Sequence, residues 1–514
     1  MTSFETARSA EELQRLAASH LWLHFTRMGG HEPPIIVRGD GCYLEDADGN
    51  RYLDALAGLF SVNIGYGFGE EIGQAALAQM RELPFYTNWT YAHPRAIELA
   101  AEVASLAPGD LNRVFFVSGG SEAVEAAWKL ARQYYLARRE QRLRAIIATP
   151  GNGAPDALGP GRPARSAGDP VLEGPAPVGE PETRHDAIVS EAARPQLRYK
   201  AIARHIAYHG TTLGALSING IPALRTPFEP LVPEVRHVSN TNRYHRPPSE
   251  TEAEFTAFLL DDLEKTILAM DPESICMVHM EPVQNAGGAF VAPEGYWRGV
   301  RQLCDRYDIL LSADEVITGF GRLGHWFASE RYDIRPDIVT CAKGLSSSYA
   351  AIGAVVATDR VMEPFLESTS MYTHGITFGG HPVMSAIALK NIEIMKRERL
   401  NEHVLAHEDA FRTTLAQLLD LPIVGDLRGA GFFYALELVK DKETRETFSD
   451  AECESLLRDF LSPRLFERGL ICRADDRGDP VVQISPPLVA SQPEFDEMTG
   501  ILGDVLAEAW ERIG

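Results

Sequence analysis

Ile309-Leu-Leu-Ser-Ala-Asp-Glu-Val-Ile-Thr-Gly-Phe-Gly-Arg322 begins as an apolar run and ends in two acids followed by a glycine-rich turn. A run this short, bounded by turn residues, suits a buried β-strand. Asp314 and Glu315 then stand at its carboxyl end, where ligands bind in open α/β sheets. A carboxylate desolvated there is costly unless it is paired, and a cationic ring nitrogen or a metal would each supply a partner. Standing alone, the motif reads as a helix-capping Asp.

Lys343 follows 29 residues after Asp314, in Thr340-Cys-Ala-Lys-Gly-Leu-Ser-Ser-Ser-Tyr-Ala350, with no acid within five positions. It comes just after the next apolar run, P-D-I-V-T, so it too belongs at a strand end on the same rim. A lysine partly buried among small residues has a depressed pKa and can act as an amine nucleophile. The plainer reading is a lysine with a buried stem and a solvated head. A third stretch, Phe116-Val-Ser-Gly-Gly-Ser-Glu-Ala-Val-Glu-Ala-Ala-Trp-Lys-Leu-Ala-Arg132, reads as a strand end, a glycine turn and a helix from near Ser121. Ala123, Ala127, Leu130, Ala131 and Tyr134 share one face of that helix. Gly119 and Gly120 allow close approach to the backbone, and free amides with the helix dipole favour an anion such as phosphate. The stretch is not a nucleoside-triphosphate loop, and by itself Ser-Gly-Gly-Ser is a cap and turn. The three features together are what pyridoxal phosphate requires. The lysine forms the Schiff base, the Asp holds the pyridine nitrogen protonated, and the helix start takes the phosphate.

Further apolar runs, R-V-F-F-V, S-I-C-M-V-H-M and A-I-G-A-V-V-A, alternate with helical stretches from about residue 70 onward. That alternation indicates a mainly parallel sheet covered by helices. Before it, Ala10 to Met28 reads as one amphipathic helix, followed by short strands joined by Asp-Gly turns. The last ~120 residues suit a smaller α+β domain, joined by the N-terminal segment. The expected division is 1–69, 70–350 and 351–514. Residues 149–182 hold seven Gly and eight Pro in 34 positions. They read as an excursion between core elements, with an ordered lid or subunit-contact loop as the alternative.

The 514 residues are 45% apolar and 24% charged, a globular balance, and the net charge of −23 argues against nucleic acid or an anionic membrane as partner. Six scattered cysteines without a C-x-x-C pair argue against a disulfide framework and a zinc site. No secretion signal opens the chain, and no uncharged apolar run approaches the ~18 residues of a membrane span, so a reduced, cytoplasmic protein is expected.

The runs D-E-V-I-T-G-F-G-R and P-D-I-V-T-C-A-K-G-L resemble the signature of class III aminotransferases of PLP fold type I. A-Y-H-G-T-T-L-G-A at 207–215, E-P-V-Q at 281–284 and H-G-I-T-F-G-G-H-P at 374–382 extend the resemblance in order along nearly the whole chain. It implies an α/β large domain with a mainly parallel seven-stranded sheet and a smaller α+β domain drawn from both termini. It implies that Lys343 carries the cofactor and shuttles protons, and that Asp314 pairs with the pyridinium. Val316 would pack behind the ring and Tyr208 would stack on its other face. Gly120 and Ser121 would bind phosphate, and His209 and Glu281 would belong to the same pocket. Thr377 would complete the phosphate site from a partner subunit, making a homodimer, or a tetramer of such dimers, the functional unit. Many relatives have S-G-S where this chain has G-G-S, so Gly119 lacks a hydroxyl and binding leans on backbone amides. Without the resemblance, Tyr208 and His209 are ordinary packing residues and Thr377 a loop threonine.

Within the family, the stretches at 56–67, 83–94 and 473–488 are similar to the amine– or ω-amino acid–pyruvate branch. That branch implies a substrate pocket walled by Leu59, Phe60, Tyr86 and Trp89, with Phe60 where relatives often carry Trp. For Tyr86 an ordinary core aromatic is a fair reading. Arg473 aligns with an arginine that pairs with the acceptor's carboxylate, a task suited to a guanidinium. R-A-D-D-R-G-D offers Arg477 as a second candidate, and a surface ion pair is the alternative for both. The expected activity is transamination between an amine or ω-amino acid and a keto acid, pyruvate foremost. The alternatives are a 2-oxoglutarate-dependent enzyme of the GABA or diamine type, a decarboxylase or aminomutase sharing the cofactor motifs, and a non-enzymatic PLP-binding protein.

Overall fold

A computed structural model describes residues 8–27, 32–148, 197–366 and 370–513. The Gly/Pro-rich stretch at 149–182 lies outside the described residues. Seven strands form the central sheet: β1 (Leu111–Val117), β2 (Lys200–Arg204), β3 (Val235–Val238), β4 (Ile275–Met280), β5 (Leu310–Asp314), β6 (Ile338–Cys341) and β7 (Gly353–Thr358). Their spatial order is β1-β7-β6-β5-β4-β2-β3. β7 runs antiparallel to both neighbours, and the other six strands run one way. Every residue of β4, β5 and β6 is buried, as expected for parallel strands covered on both faces.

Alternation along the strands divides the core between those faces. Ala201, Ala203, Met277 and Leu310 pack on Ala123, Ala127, Leu130, Ala131 and Tyr134 of the Gly120–Ala148 helix. Ile202, Val278 and Leu311 pack on Phe255, Leu259, Trp297 and Val300 of the Glu252–Ala269 and Tyr296–Arg306 helices.

The termini come together beside this sheet. Ile36–Asp40, Tyr43–Asp46 and Arg51–Asp54 pair antiparallel, and Leu470–Ile471 adds to the last of them in parallel. Val424–Ala430, Phe433–Leu438, Val481–Ile484 and Arg473–Asp475 form a fully antiparallel sheet, which brings Arg473 towards the cleft. The N-terminal helix is shorter than its amphipathic pattern predicts: it spans Ala10–His20. Leu21 turns to extended backbone and Phe25 is left-handed, at φ +52°, so the pattern of Leu21, Trp22 and Phe25 does not continue as helix. Among the described residues no helix is long and apolar enough to cross a membrane.

One ionic cluster ties the segment after β3 to the C-terminal sheet. His245 Nε2 contacts Glu437 and lies 3.2 Å from Asp479 Oδ2, while Arg428 takes the other oxygen of the buried Glu437. Asp479 and Glu437 raise His245 to a pKa of about 10. A histidine raised this way stabilises the fold fully below the unfolded value of about 6.5 and stops doing so above its folded value. The melting temperature of wild type should therefore exceed that of His245→Gln below pH 6.5, with the gap narrowing steadily and closing above pH 10.

Candidate active site

Five strand ends build the site. Asp314 ends β5; Lys343 lies two residues past β6, Glu281 one past β4, His209 five past β2 and Gly120 three past β1. Because these strands are parallel, all five groups reach one carboxyl rim.

Asp314 is buried, yet its carboxyl lies well below the usual carboxylate range. Burial opposes its ionisation, but His209 and His279 overcome that cost. His209 Nδ1 donates to Oδ2 at 2.7 Å. Oδ1 accepts from the Val316 amide at 3.1 Å and the Thr340 hydroxyl at 3.3 Å. Burial, then His279, lowers His209 to a pKa of about 4, so the ring bonded to Asp314 is neutral. Its Nε2 is buried without a hydrogen-bond partner. Glu315 turns away: it accepts from Thr318 Oγ1 at 2.6 Å and from the amides of Ala328 and Ser329 at 2.9 and 2.6 Å. Those bonds tie Glu315 to the turn that follows it, and Asp314 is the acid that faces the histidines.

Lys343 stands at φ +44°, with Ser347 and Ser348 also left-handed. Non-glycine residues held there cost about 1–3 kcal/mol each and persist where their surroundings over-determine them. Those surroundings are visible at Gly344, where a Cβ would lie 2.4 Å from Asn63 Nδ2 and 3.0 Å from Phe320. Burial lowers the Lys343 amine to a pKa of about 8, against the pull of Asp314 and Glu281; Arg473 and Arg322 push the same way as burial. Glu281 is raised to about 8, by burial and then by Asp314. Its carboxyl accepts the Asn285 amide at 2.9 Å and the Tyr208 amide at 3.4 Å.

The glycine turn is shaped by its neighbours. A Cβ on Gly120 would lie 2.9 Å from Val316 Cγ1, so the turn backbone rests directly on that side chain. A Cβ on Gly119 would meet nothing within 4 Å. The Ser121 hydroxyl accepts the Thr211 amide at 3.1 Å, which brings the segment after β2 to the helix start. The Tyr208 ring carries the Arg477 guanidinium 5.4 Å above it. Arg473 and Arg477 both flank buried Asp475, at 3.7 and 3.4 Å.

The expected substrate wall divides into parts. Phe60 is fully buried, 5.9 Å below the Lys343 amine and edge-on to Phe433. Left-handed Ala57, Gly58 and Phe60 turn that ring inward while Leu59 faces out, 53% exposed. Tyr86 and Trp89 belong to a separate exposed group. Tyr86 packs edge-on to Tyr91, and Trp89 lies so close to Gly375 that a Cβ there would meet its ring at 2.7 Å. Thr377 is exposed on the same loop, next to Phe378, which packs on Phe85. The residues of the site that sequence reasoning missed are His279, Ser312, Thr340 and the buried Arg204, which donates to the Glu281 carbonyl. For His279 the signal was a lone histidine in the otherwise apolar strand I-C-M-V-H-M.

A mainly parallel seven-stranded α/β sheet with this lysine, aspartate and glycine turn on one rim is the architecture of PLP fold type I. The family profile described as Aminotransferase class-III matches residues 26–506, and the chain belongs to that family. A Mycobacterium tuberculosis protein described as a probable aminotransferase is 46% identical over 96% of this chain and 94% of its own length. The putrescine–pyruvate aminotransferase of Pseudomonas aeruginosa is 36% identical over 97% of this chain and 96% of its own. Among solved structures, an (S)-enantioselective ω-transaminase from Thermomicrobium roseum superposes with TM-score 0.83 at 34% identity, covering 98% of this chain and 99% of that one. The chemistry of this chain is transamination.

Gly210 joins the two halves of the glycine-turn region. Its φ is +111° and a Cβ would lie 2.2 Å from Ser121 Oγ. Gly210→Ala should destabilise the protein by about 1–3 kcal/mol, read as a fall in melting temperature.

Proposed function

We propose that the chain holds pyridoxal phosphate on this rim and transfers amino groups from an amine or ω-amino acid to a keto acid, pyruvate foremost. The observation that carries this reading is that Asp314 and the lowered Lys343 amine stand buried at the same rim. A buried anion whose bonding partners are neutral donors is poised for a cation, and a pyridinium nitrogen is one. The other residues fit the same group. The Gly120 backbone resting on Val316, with the Ser121 helix start beyond it, suits a flat ring and its phosphate. Tyr208, half-buried, suits the opposite face of the ring.

When bound, the cofactor supplies an aldehyde for the donor amine and an electron sink for the carbon next to it. As an anion, Asp314 would keep that sink strong by stabilising a proton on the ring nitrogen. Lys343 Nζ, lowered towards neutrality, would be the base for the proton on the donor carbon next to nitrogen, and as the ammonium it would be the acid that gives that proton back. Arg473 and Arg477 offer guanidinium groups for the acceptor's carboxylate. Phe60 closes the floor beneath the amine. The amine–pyruvate preference draws on the 56–67, 83–94 and 473–488 stretches and on the named activities of the relatives. A reducing, cytoplasmic setting suits the six unpaired thiols.

A homodimer accounts for the second group of residues. Tyr86, Trp89, Tyr91 and Phe378 are 47–61% exposed, with Tyr86 against Tyr91 and Trp89 against the loop that carries Thr377. Exposed aromatics in such a patch favour a partner surface, and the family pattern sends Thr377 to the neighbouring subunit's phosphate.

Lys343→Ala should lower alanine formation from pyruvate and putrescine by about 10²–10⁴-fold, and should leave no borohydride-reducible yellow adduct. An adduct surviving at full strength would overturn the assignment of the lysine. Acceptance of 2-oxoglutarate alone would overturn the pyruvate reading. Since the nucleophile is the unprotonated amine, cofactor capture by the apoenzyme should speed up with rising pH and level off above about 8. Thr377→Ala should weaken cofactor affinity by about tenfold, as loss of a hydrogen bond to a charged group does. The protein should sediment as a dimer or larger.

A further inference from the structure

His279 is a fully buried histidine in a strand of apolar residues, and transamination as described above makes no use of it. It pairs across β4 and β5 with Ser312. Side chains at paired positions of neighbouring strands share a face, and Asp314, two residues beyond Ser312, shares it too. The contacts follow from that register. His279 Nδ1 lies 2.9 Å from Ser312 Oγ, and its Nε2 lies 3.5 Å from Asp314 Oδ2. The His209 ring stands 4.5 Å away, centroid to centroid. His279 Nε2 has no hydrogen bond of ordinary geometry. A buried polar nitrogen in that condition is costly unless it serves the charge beside it.

The geometry restricts the ring's protonation. With Nδ1 accepting from the Ser312 hydroxyl, the proton sits on Nε2, the nitrogen 3.5 Å from the carboxylate. The reverse tautomer would aim a lone pair at an anion in a buried site. A doubly protonated ring also presents Nε2–H. We propose that His279 is a positioning residue: oriented by Ser312, it directs Nε2–H at Asp314 Oδ2 and thereby sets how firmly Asp314 leaves the shared proton on the cofactor's ring nitrogen. This rests on the proposed pairing of Asp314 with pyridoxal phosphate. Without that donor Asp314 is more basic, the shared proton shifts towards it, and the electron sink weakens. The other groups facing Asp314 are His209, Thr340 and the Val316 amide, with Lys343 and Glu281 close enough to couple electrostatically.

The test uses the full-length protein in three variants: His279→Leu, which removes the donor, Ser312→Ala, which releases the ring, and His279→Gln, which keeps an N–H within reach. Apoenzyme is titrated with pyridoxal phosphate by fluorescence quenching, and the visible absorbance of the holoenzyme is followed against pH. Relative to wild type, His279→Leu should bind the cofactor about three- to tenfold more weakly and raise the pH midpoint of the visible band by about 0.5–1 unit. Its kcat should fall by a similar factor while KM for the amine is unchanged. Ser312→Ala should move each quantity in the same direction by less, and His279→Gln should restore most of the midpoint. A role confined to packing would lower melting temperature and leave the midpoint where it was. Folded, cofactor-loaded His279→Leu and Ser312→Ala with wild-type midpoint and affinity would overturn the proposal. If His279→Leu does not fold, the other two variants decide between these outcomes. A wild-type protein that takes up no pyridoxal phosphate would overturn the functional reading and, with it, this inference.

Discussion

The site depends on a carboxylate kept anionic where water cannot solvate it. Asp314 is buried, and the groups hydrogen-bonded to it are a neutral imidazole, a threonine hydroxyl and a backbone amide, with His279 a further 3.5 Å neighbour. Each bonded group arrives from a different part of the rim: the segment after β2, strand β6, and the turn following Asp314 itself. Such donors lower the pKa without neutralising the charge, so the carboxylate keeps its attraction for a cation. The parallel sheet meets this demand because it brings several strand ends to one level. An antiparallel hairpin sheet would alternate strand ends with strand beginnings along that edge, and these donors would not converge.

What the sequence made legible is what depends on neighbours along the chain. The apolar run ending at Asp314, the uncharged surroundings of Lys343 and the apolar face of the Gly120–Ala148 helix are all local patterns, and the structure places them on the expected strands and helix. The seven-stranded, mainly parallel sheet follows from strands alternating with helices. Features set by register or by distant contact were not legible. His279 acquires meaning from lying opposite Ser312, and nothing in I-C-M-V-H-M fixes that pairing. The fate of Glu315 is of the same kind, since its partners Ala328 and Ser329 lie 13 and 14 residues on. The N-terminal helix stops at His20 although the apolar spacing runs on, because periodicity does not register a left-handed turn at Phe25. Tyr86 and Trp89 read as pocket walls, yet within one chain they pack against Tyr91 and the loop at Gly375. In the proposed homodimer such residues would meet the pocket of the neighbouring chain, which is why they would look misplaced in one.

Lys343 has no acidic neighbour in sequence, but space returns two: Asp314 and Glu281 both favour its charged form. Arg473 and Arg322 oppose them, and burial, the largest influence, settles the direction. The result is an amine near pKa 8 beside a carboxyl also near 8, raised by burial and by the charge on Asp314. Asp314 acts the same way on its two neighbours, favouring the protonated form of both the Glu281 carboxyl and the Lys343 amine. Both groups therefore change protonation over the same range of pH, and each senses the charge of the other. The isolation of Lys343 in sequence therefore matters less than the company it keeps in the fold. Burial among small residues lowers the amine, while the carboxylates brought from other strands limit how far it falls.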